Sequence, residues 1–353
     1  MLFNIEFDSG AALEGYLVPD GHSDTPRIVV ETDRKVILEM DCNAMREAVK
    51  VSGRHATGIV GFRIDEALIP NLAKLTDLAV HDAKTGMLIY QRSERAWLEK
   101  KIVRLETQLM PLVALDRSLR PHFQYAGERV ERFGLETALQ MFHLNAVNSI
   151  YISGRLQVRS FEHFLDRGFD AVGLLTEPYF EMAERISLLK RYSTLPEQLF
   201  GPRDRMLLAP AVEHFSKVDF GSERSIRRSL RIMEPATERI LRMPLTRQLT
   251  TLLADEEPDR RSAAAALDAI SRFSVMGLRA YPQTFTRPLA ELLQLDYTDV
   301  AEPHNHRVIG EIAGVLREIP LAESLLETDI VVYHFASQAI LSNMASEAKY
   351  LAS

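Results

Sequence analysis

The stretch GLLTEPYFEMAERISLLKR, residues Gly173–Arg191, decides which class of fold this sequence predicts. Apolar residues lead up to Thr176-Glu177-Pro178, and a helical pattern begins at the proline. The pattern is typical of a strand, a tight turn and a helix start, because proline suits the first turn of a helix. α/β proteins often bind ligands at such turns. The sequence therefore raises the question whether this turn binds a ligand or only connects two elements.

The region around this stretch, residues 121–353, is mostly helical and contains a few strand-like runs. Ser149–Ile152 and Ala171–Leu175 are the best strand candidates, and Val275–Leu278 is a shorter buried run. Strands separated by long helical segments indicate an α/β domain with a parallel core. We therefore predict a helix-rich α/β domain with a small parallel sheet over residues 121–353.

The first ninety residues have a different pattern. Short apolar or alternating runs are separated by turn sequences such as PDGHSDTP and DAKTG. Strands of this length and spacing predict an antiparallel β-sandwich module over residues 1–93. In the next segment, Trp97, Ile102, Leu105 and Leu109 lie near helical spacing with charges between them, which predicts a connecting helix within residues 94–120.

Composition limits the classes of function. The chain has 353 residues, 46% of them hydrophobic, and a formal net charge of −7, which argues against a general nucleic-acid binder. Cys42 is the only cysteine, so no disulfide can form within the chain. The first residues carry acids without a long apolar run, and no stretch reaches the roughly 18 apolar residues of a membrane span. We expect no secretory signal and a cytoplasmic protein.

Several segments from about residue 124 onward, about two thirds of the chain, carry a resemblance in their order. They are ERFGLETALQMF, ISGRL, LLTEPYFEMAERI, PLTRQLTTL, SVMGLRAY and ETDIVVYHFA. This succession resembles the P-loop carbohydrate sulfotransferases, in a divergent form of the kind associated with bacterial capsule and exopolysaccharide genes. The resemblance implies 3′-phosphoadenosine 5′-phosphosulfate as a donor substrate, with no permanently bound cofactor.

The donor site implied by this resemblance includes the segment ERFGLETALQMF. Arg132 falls where the family has a lysine, Gly134 would give the loop its turn, and Thr137 would supply a hydroxyl. Glu136 fits poorly, because a carboxylate would repel a phosphate, and its alternative role is to stabilise the first helical turn. Arg155 and Arg247, in the segments ISGRL and PLTRQLTTL, complete the implied phosphate-binding set.

Other positions depart from the family pattern. Thr176 and Glu184 stand where the family places an arginine and a serine that bind the donor's 3′-phosphate. Ser153 and Arg155 stand where some members have a histidine base, and an arginine cannot accept a proton. His143 is the substitute candidate for the catalytic base, and its alternative interpretation is a half-buried helix residue beside apolar neighbours.

Two further groups of residues have alternative interpretations. Arg54 and His55, in SGRHATGIVGFRID, resemble part of a module attached to some bacterial glycosyltransferases and would contact sugar; otherwise they belong to a glycine-rich loop entering a strand. Arg224, Arg228 and Arg231 share one helical face. That face is either a patch for an anionic ligand or a solvated face balanced by nearby acids, namely Glu223, Glu234 and Glu238.

These observations define two hypotheses for function. The first is an enzyme of bacterial surface polysaccharide biosynthesis or modification, with sulfuryl transfer to a sugar hydroxyl as its reaction. The second is a non-catalytic, sulfotransferase-like binding or regulatory protein that has lost the donor site. Both predict a carbohydrate or another small anionic ligand. We predict no metal site, because two ligands, His304 and His306, are too few for zinc and no cysteine or carboxylate cluster accompanies them.

Overall fold

The computed structural model describes residues 1–144, 146–196, 199–258 and 261–351, with side chains up to residue 344. The chain divides into two compact units. The first unit contains residues 1–101, 120–128 and 133–152, and the second contains 102–119, 129–132 and 153 onward. The predicted domain boundaries near residues 93 and 120 stay a prediction.

Antiparallel sheets dominate the N-terminal region, as the alternating sequence pattern predicts. One sheet has the order β1-β2-β6-β5 and the other has the order β4-β3-β7-β8. Their strands are β1 Leu2–Asp8, β2 Ala12–Val18, β3 Arg27–Thr32, β4 Lys35–Asp41, β5 Ala44–Met45, β6 Ile59–Asp65, β7 Leu78–Asp82 and β8 Leu88–Arg92, with the short helix α1 Glu47–Val51 before β6.

Period-two burial in these strands explains why they form sheets. Phe3 and Ile5 of β1 are buried, as are Phe62 and Ile64 of β6, while residues between them are more exposed. Gly15 of β2 lies against Phe62, and a Cβ atom there would come within 2.8 Å of the Phe62 ring. A side chain at that position would push the two strands apart, so this glycine is required by close packing.

A five-stranded sheet with parallel pairing follows, in the order β10-β11-β9-β12-β13. Its strands are β9 Lys101–Leu105, β10 Tyr125–Gly127, β11 Ile150–Gly154, β12 Phe169–Leu175 and β13 Val275–Leu278. The strands predicted at Ser149–Ile152 and Ala171–Leu175 are confirmed as β11 and β12, and the buried run Val275–Leu278 forms β13. The fold is therefore mixed α/β, with antiparallel sheets first and a parallel sheet later.

The helix predicted to connect the two regions within residues 94–120 is wrong. Strand β9 occupies Lys101–Leu105, and the helix α2 begins only at Val113. Ile102 and Val103 are buried together with Arg104, so this segment is an internal strand, although its charges suggest an exposed helix. Arg104 can lie inside because two carboxylates neutralise it, as described below.

Helices make up most of the second unit. Their bounds are α2 Val113–Leu119, α3 Leu135–Gln140 (in the first unit), α4 Val158–Leu165, α5 Pro178–Lys190, α6 Pro202–Ser216, α7 Glu223–Arg231, α8 Pro235–Leu241, α9 Pro244–Thr250, α10 Ser262–Ser271, α11 Gln283–Leu293, α12 Arg307–Arg317 and α13 Pro320–Leu351. α5 is buried over most of its length and packs against α6, α12 and α13. Among the described helices, none has the combination of length and apolar character that crossing a bilayer requires.

Candidate functional site

The strand order identifies where a ligand site of this fold belongs. After β9 the chain moves to one side of the sheet to form β10 and β11, and after β12 it moves to the other side to form β13. In open parallel sheets, ligands bind outside the carboxyl ends of strands at such a reversal of direction. For this sheet the position lies between the ends of β9 and β12, where Thr107 and Thr176 follow the two strands. We call this position the switch-point crevice.

The switch-point crevice is almost completely filled by protein. A cavity of about 10 Å³ remains there, lined by Thr107, Thr176, Pro178, Glu181, Pro244, Leu245 and Asp329. This volume matches a single water molecule. Thr107 donates a hydrogen bond to the carbonyl oxygen of Leu174 at 2.5 Å, while the Thr176 hydroxyl has no hydrogen-bond partner among the described residues. The crevice therefore contains polar groups but lacks space for a nucleotide.

A buried charge cluster closes the side of the crevice that follows β9. The guanidinium of Arg104 donates to Glu106 and to Asp116, each at 2.6 Å, and all three side chains are at most 2% exposed. Glu106 also accepts hydrogen bonds from the Gln108 amide and from the Leu112 backbone N–H. Burial raises the pKa of Glu106, while the charge of Arg104 opposes that shift. A carboxylate of the chain itself thus occupies the turn between β9 and α2.

The helix α5, which follows the turn of the opening sequence, holds two more buried ion pairs. Glu181 pairs with Arg185 one turn later, with a shortest nitrogen–oxygen distance of 2.6 Å. Glu184 forms a two-fold contact with Arg279 after β13, at 2.8 and 2.9 Å. Arg279 also donates to the carbonyl oxygen of His304 at 2.9 Å. The acids at these positions, which would repel a donor phosphate, are neutralised by arginines of the chain.

Asp329 of α13 closes the remaining side of the crevice. Its carboxylate accepts hydrogen bonds from the backbone N–H groups of Leu245 and Thr246, at 3.1 and 2.8 Å, and from the Thr246 hydroxyl at 2.6 Å. It therefore satisfies the free amides at the start of α9, where a carboxylate is favoured by the helix dipole. Burial nevertheless raises the pKa of Asp329 to about 6, and these hydrogen bonds act in the opposite direction.

The predicted phosphate loop lies elsewhere, between β10 and α3. Gly134 begins α3 in an extended conformation, and its surroundings are open. The Thr137 hydroxyl is buried and accepts a hydrogen bond from the amino group of Met1 at 2.5 Å. Glu136 pairs with Arg54. Because α3 has only six residues and β10 is an edge strand, this loop is a poorer anion site than the central crevice would be.

Two predicted phosphate-binding arginines have partners in the protein. Arg155, directly after β11, pairs with Asp204 at 2.5 Å and with Glu131 at 3.4 Å. A side chain at Gly154 would come within 2.8 Å of the Val130 nitrogen, so glycine there permits this close approach. Arg247 donates to two carbonyl oxygens at and beyond the end of α8, those of Arg239 and Arg242, at 2.9 and 3.0 Å. Its geometry is that of a basic helix C-terminal cap.

The remaining predicted site residues differ in their exposure and in their hydrogen-bond partners. Arg132 donates from Nε to the carbonyl oxygen of Arg129 at 3.3 Å, and His143 is exposed at the end of a short 3-10 helix, Met141–His143. His143 is therefore not the half-buried residue of the alternative interpretation. The His55 ring contacts the carbonyl oxygen of Asp24 at 2.9 Å and the backbone N–H of Gly58 at 3.2 Å. At 4% exposure His55 holds its loop together, and only Arg54 of that pair is accessible.

The structure brings some predicted residues together and separates others. Arg54 meets Glu136 of the predicted phosphate loop, and Arg155 meets Glu131 beside Arg132. Sequence reasoning missed the residues that line or close the switch-point crevice, which are Arg104, Glu106, Thr107, Gln108, Asp116, Arg185, Thr246, Arg279 and Asp329. The sequence contains one signal for the strand before these residues. In KIVRLETQ two β-branched residues precede a polar turn, as two leucines precede the turn in GLLTEP.

No protein-family model, curated protein or solved structure matches this chain. Within the part of the chain that the structure describes, no group of three or more histidine, cysteine, aspartate or glutamate side chains could hold a metal ion. The case for a function therefore depends on the geometry of the crevice and on the sequence resemblance.

Proposed function

We propose that this chain is a sulfotransferase-like protein without a working donor site, which acts as a binding or regulatory protein in bacterial surface polysaccharide production or modification. The observation that carries the proposal is that protein fills the switch-point crevice, where Glu181 and Asp329 line the remaining cavity and are each held by partners within the chain. The proposal includes a β-sandwich packing of the N-terminal sheets, a cytoplasmic location and a carbohydrate or other small anionic ligand.

The energetic argument favours loss of the donor site. Small-molecule sites generally have volumes of several hundred Å³, whereas the crevice contains about 10 Å³. Glu181 lines the crevice, so space for a nucleotide there would require its pair with Arg185 to separate. Breaking one buried pair costs about 3–5 kcal/mol, which would weaken binding by roughly two to four powers of ten. Arg185 would then have to leave the Glu181 carboxylate, which neutralises it in the folded protein.

Sulfuryl transfer to a sugar hydroxyl is the second candidate function. It would use the loop after β10, with Arg132, Gly134 and Thr137 on the donor, Arg155 and Arg247 as further phosphate contacts, and His143 as the base. Two observations favour it: Gly134 has open space around it, and His143 is exposed. The other observations oppose it, because Thr137, Arg155 and Arg247 are engaged by the protein.

Calorimetric titration with adenosine 3′,5′-bisphosphate distinguishes the two functions. We expect no binding at millimolar ligand and no rise in the melting temperature, because the crevice has no space for the nucleotide. Binding at micromolar ligand that is lost in Arg132→Ala and kept in Arg95→Ala would contradict the proposal and support sulfuryl transfer. Arg95 is a suitable control because it is exposed and has no ion-pair partner among the described residues.

A parallel titration with nucleotide-sugars and acidic oligosaccharides tests the binding role. Binding of a carbohydrate without the bisphosphate would support a protein that kept the fold and recognises sugar. Enzymatic transfer of sulfate to such an oligosaccharide would contradict the non-catalytic role directly.

A further inference from the structure

The nine-residue helix α7, Glu223–Arg231, has two clearly different faces. Ile226, Ser229 and Leu230 are buried, whereas Arg224, Arg228 and Arg231 are exposed. The three arginines are spaced four and three residues apart, so their side chains occupy one side of the helix. We call this side the arginine face of α7.

The acids near this helix do not balance the arginine face. Glu223 pairs with Arg227, at 2.7 Å, and Arg227 also donates to the carbonyl oxygen of Glu318. Glu238 pairs with Arg242. The third acid, Glu234, forms no ion pair within the described residues, and neither does any arginine of the face. The sequence-based interpretation of a balanced, solvated face therefore fails for two of its three acids.

An unbalanced row of arginines is unfavourable by itself. Like charges three or four residues apart on a helix repel each other. The helix dipole offsets part of this repulsion for Arg228 and Arg231, which lie in the last turn, but disfavours Arg224 in the first turn. The chain is acidic overall, with 49 acidic residues against 42 basic ones, so carboxylates are not scarce. Features that break a local rule of stability without internal compensation tend to be functional sites. An anionic partner would remove the repulsion.

The shape of the face indicates which anion fits. Seven residues of helix separate Arg224 from Arg231, which corresponds to about 10 Å along the axis. The row is longer than a single small anion, which can contact one or two neighbouring side chains but not all three. A linear polymer that carries repeated anionic groups can contact all three together. Guanidinium groups bind carboxylate and sulfate oxygens in a planar, two-fold manner.

We propose that the arginine face of α7 binds an acidic polysaccharide through its carboxylate or sulfate groups. The choice of a polysaccharide as the polyanion rests on the proposed function, whereas the binding of a polyanion rests on α7 alone. Nucleic acid is the other polyanion that such a face could contact, and the test below includes it as an outcome that would contradict the polysaccharide assignment.

The test measures binding of the full chain to heparin, which is sulfated, and to alginate, which is carboxylated, with dextran as the uncharged polymer. The variant Arg224→Gln/Arg228→Gln/Arg231→Gln removes the face. The control Lys74→Gln/Arg95→Gln/Arg117→Gln removes the same charge at three exposed positions outside α7. Both variants should keep the circular dichroism and melting temperature of a folded protein, because all six side chains are exposed.

We expect the α7 variant to lose at least tenfold in affinity for heparin or alginate, and the control to change less than threefold. The dependence of affinity on salt should also decrease by about one unit of slope for each arginine removed. Equal losses in the two variants, or no binding of the original chain at physiological salt, would overturn the proposal. Tighter binding to duplex DNA than to either acidic polysaccharide would overturn the polysaccharide assignment.

The same three proteins are titrated with adenosine 3′,5′-bisphosphate. Bisphosphate binding that is equal in all three would refute the closed donor site and leave the α7 result standing. A loss of heparin and alginate binding confined to the α7 variant would support the arginine face whatever the bisphosphate result.

Discussion

Arg279, at the carboxyl end of β13, and Arg228, on the outer side of α7, carry the same guanidinium group in opposite surroundings. Arg279 is 4% exposed and holds both oxygens of Glu184, whereas Arg228 is exposed and has no carboxylate partner among the described residues. Near the sheet, arginines are neutralised by carboxylates of the chain where a ligand of this fold would bind. On α7, three arginines are exposed to solvent and have no carboxylate partner among the described residues. The difference separates arginines that the chain neutralises internally from arginines that are exposed and have no ion pair among the described residues.

The test with the largest expected effect on stability removes one partner of a buried ion pair. Arg279→Met leaves the Glu184 carboxylate buried without its cation, so we expect the free energy of unfolding to fall by about 3–5 kcal/mol. Urea denaturation at pH 7 measures the change. Glu184→Leu/Arg279→Met, which removes both charges, should recover more than half of that loss. A single variant that loses less than about 1 kcal/mol would show that the buried pair contributes no more than an exposed ion pair does.

The sequence predicts the backbone around this pair far better than it predicts the pair itself. Local signals place α5 correctly, because Pro178 suits a first helical turn and Glu177 caps it by accepting from the Phe180 N–H at 2.8 Å. Glu184 and Arg279 are 95 residues apart in sequence, and only the parallel arrangement of β12 and β13 brings them together. A local pattern cannot reveal such a partner. From the sequence alone, the carboxylate of Glu184 is expected to repel an anionic ligand, whereas in the fold Arg279 neutralises it.

The incorrect assignment around β9 has the same origin. Arg104 and Glu106 in KIVRLETQ suggest a solvated helix, because isolated charges are rarely buried. Inside the fold they neutralise each other together with Asp116, so the segment becomes a buried strand. The turn after this central strand was therefore not recognised, and the phosphate loop was assigned to the weaker candidate after the edge strand β10. By contrast, the helical face predicted for Arg224, Arg228 and Arg231 is observed in α7, whose buried residues all lie on its other side.

A second test uses the pH dependence of Asp329. Its pKa is raised by burial to about 6, above the value of 3.8 expected in the unfolded chain, and the nearby charge of Glu181 contributes in the same direction. The folded protein therefore binds a proton more strongly than the unfolded chain, so stability from this group falls as pH rises from about 4 to about 6. The Asp329→Asn variant lacks this change. We expect the stability of the original chain relative to this variant to fall by roughly 3 kcal/mol between pH 4 and pH 7.

Urea denaturation of both proteins at several pH values measures this difference, and other titrating groups cancel because both proteins contain them. A difference between the Asp329 proteins that increases with pH would mean that the amides of α9 dominate and that the carboxylate is ionised throughout.

The third test examines the small cavity of the crevice. The Thr176 hydroxyl is buried without a hydrogen-bond partner among the described residues, so Thr176→Val should stabilise the protein by about 1 kcal/mol. Thr246→Val is the matched control, because its hydroxyl donates to Asp329 at 2.6 Å and its loss should destabilise by about 1–2 kcal/mol. Thermal and urea denaturation measure both changes. Destabilisation by Thr176→Val would mean that a water molecule or ligand bonds the hydroxyl and that the crevice is occupied.

The smallest expected effect is on α7, and it tests the other half of the comparison. Arg224→Gln relieves repulsion from Arg228 and removes a cation from the first turn of α7, where the helix dipole disfavours it. It should therefore stabilise the protein by about 0.2–0.5 kcal/mol at low salt. The gain should vanish near 1 M salt, because the screening length is then only about 3 Å. Arg227→Gln is the control on the same helix and should destabilise, since it loses Glu223 and the carbonyl oxygen of Glu318. Destabilisation by both variants would show that Arg224 is compensated within the free protein, so the face would have no unmet charge for a polysaccharide to satisfy.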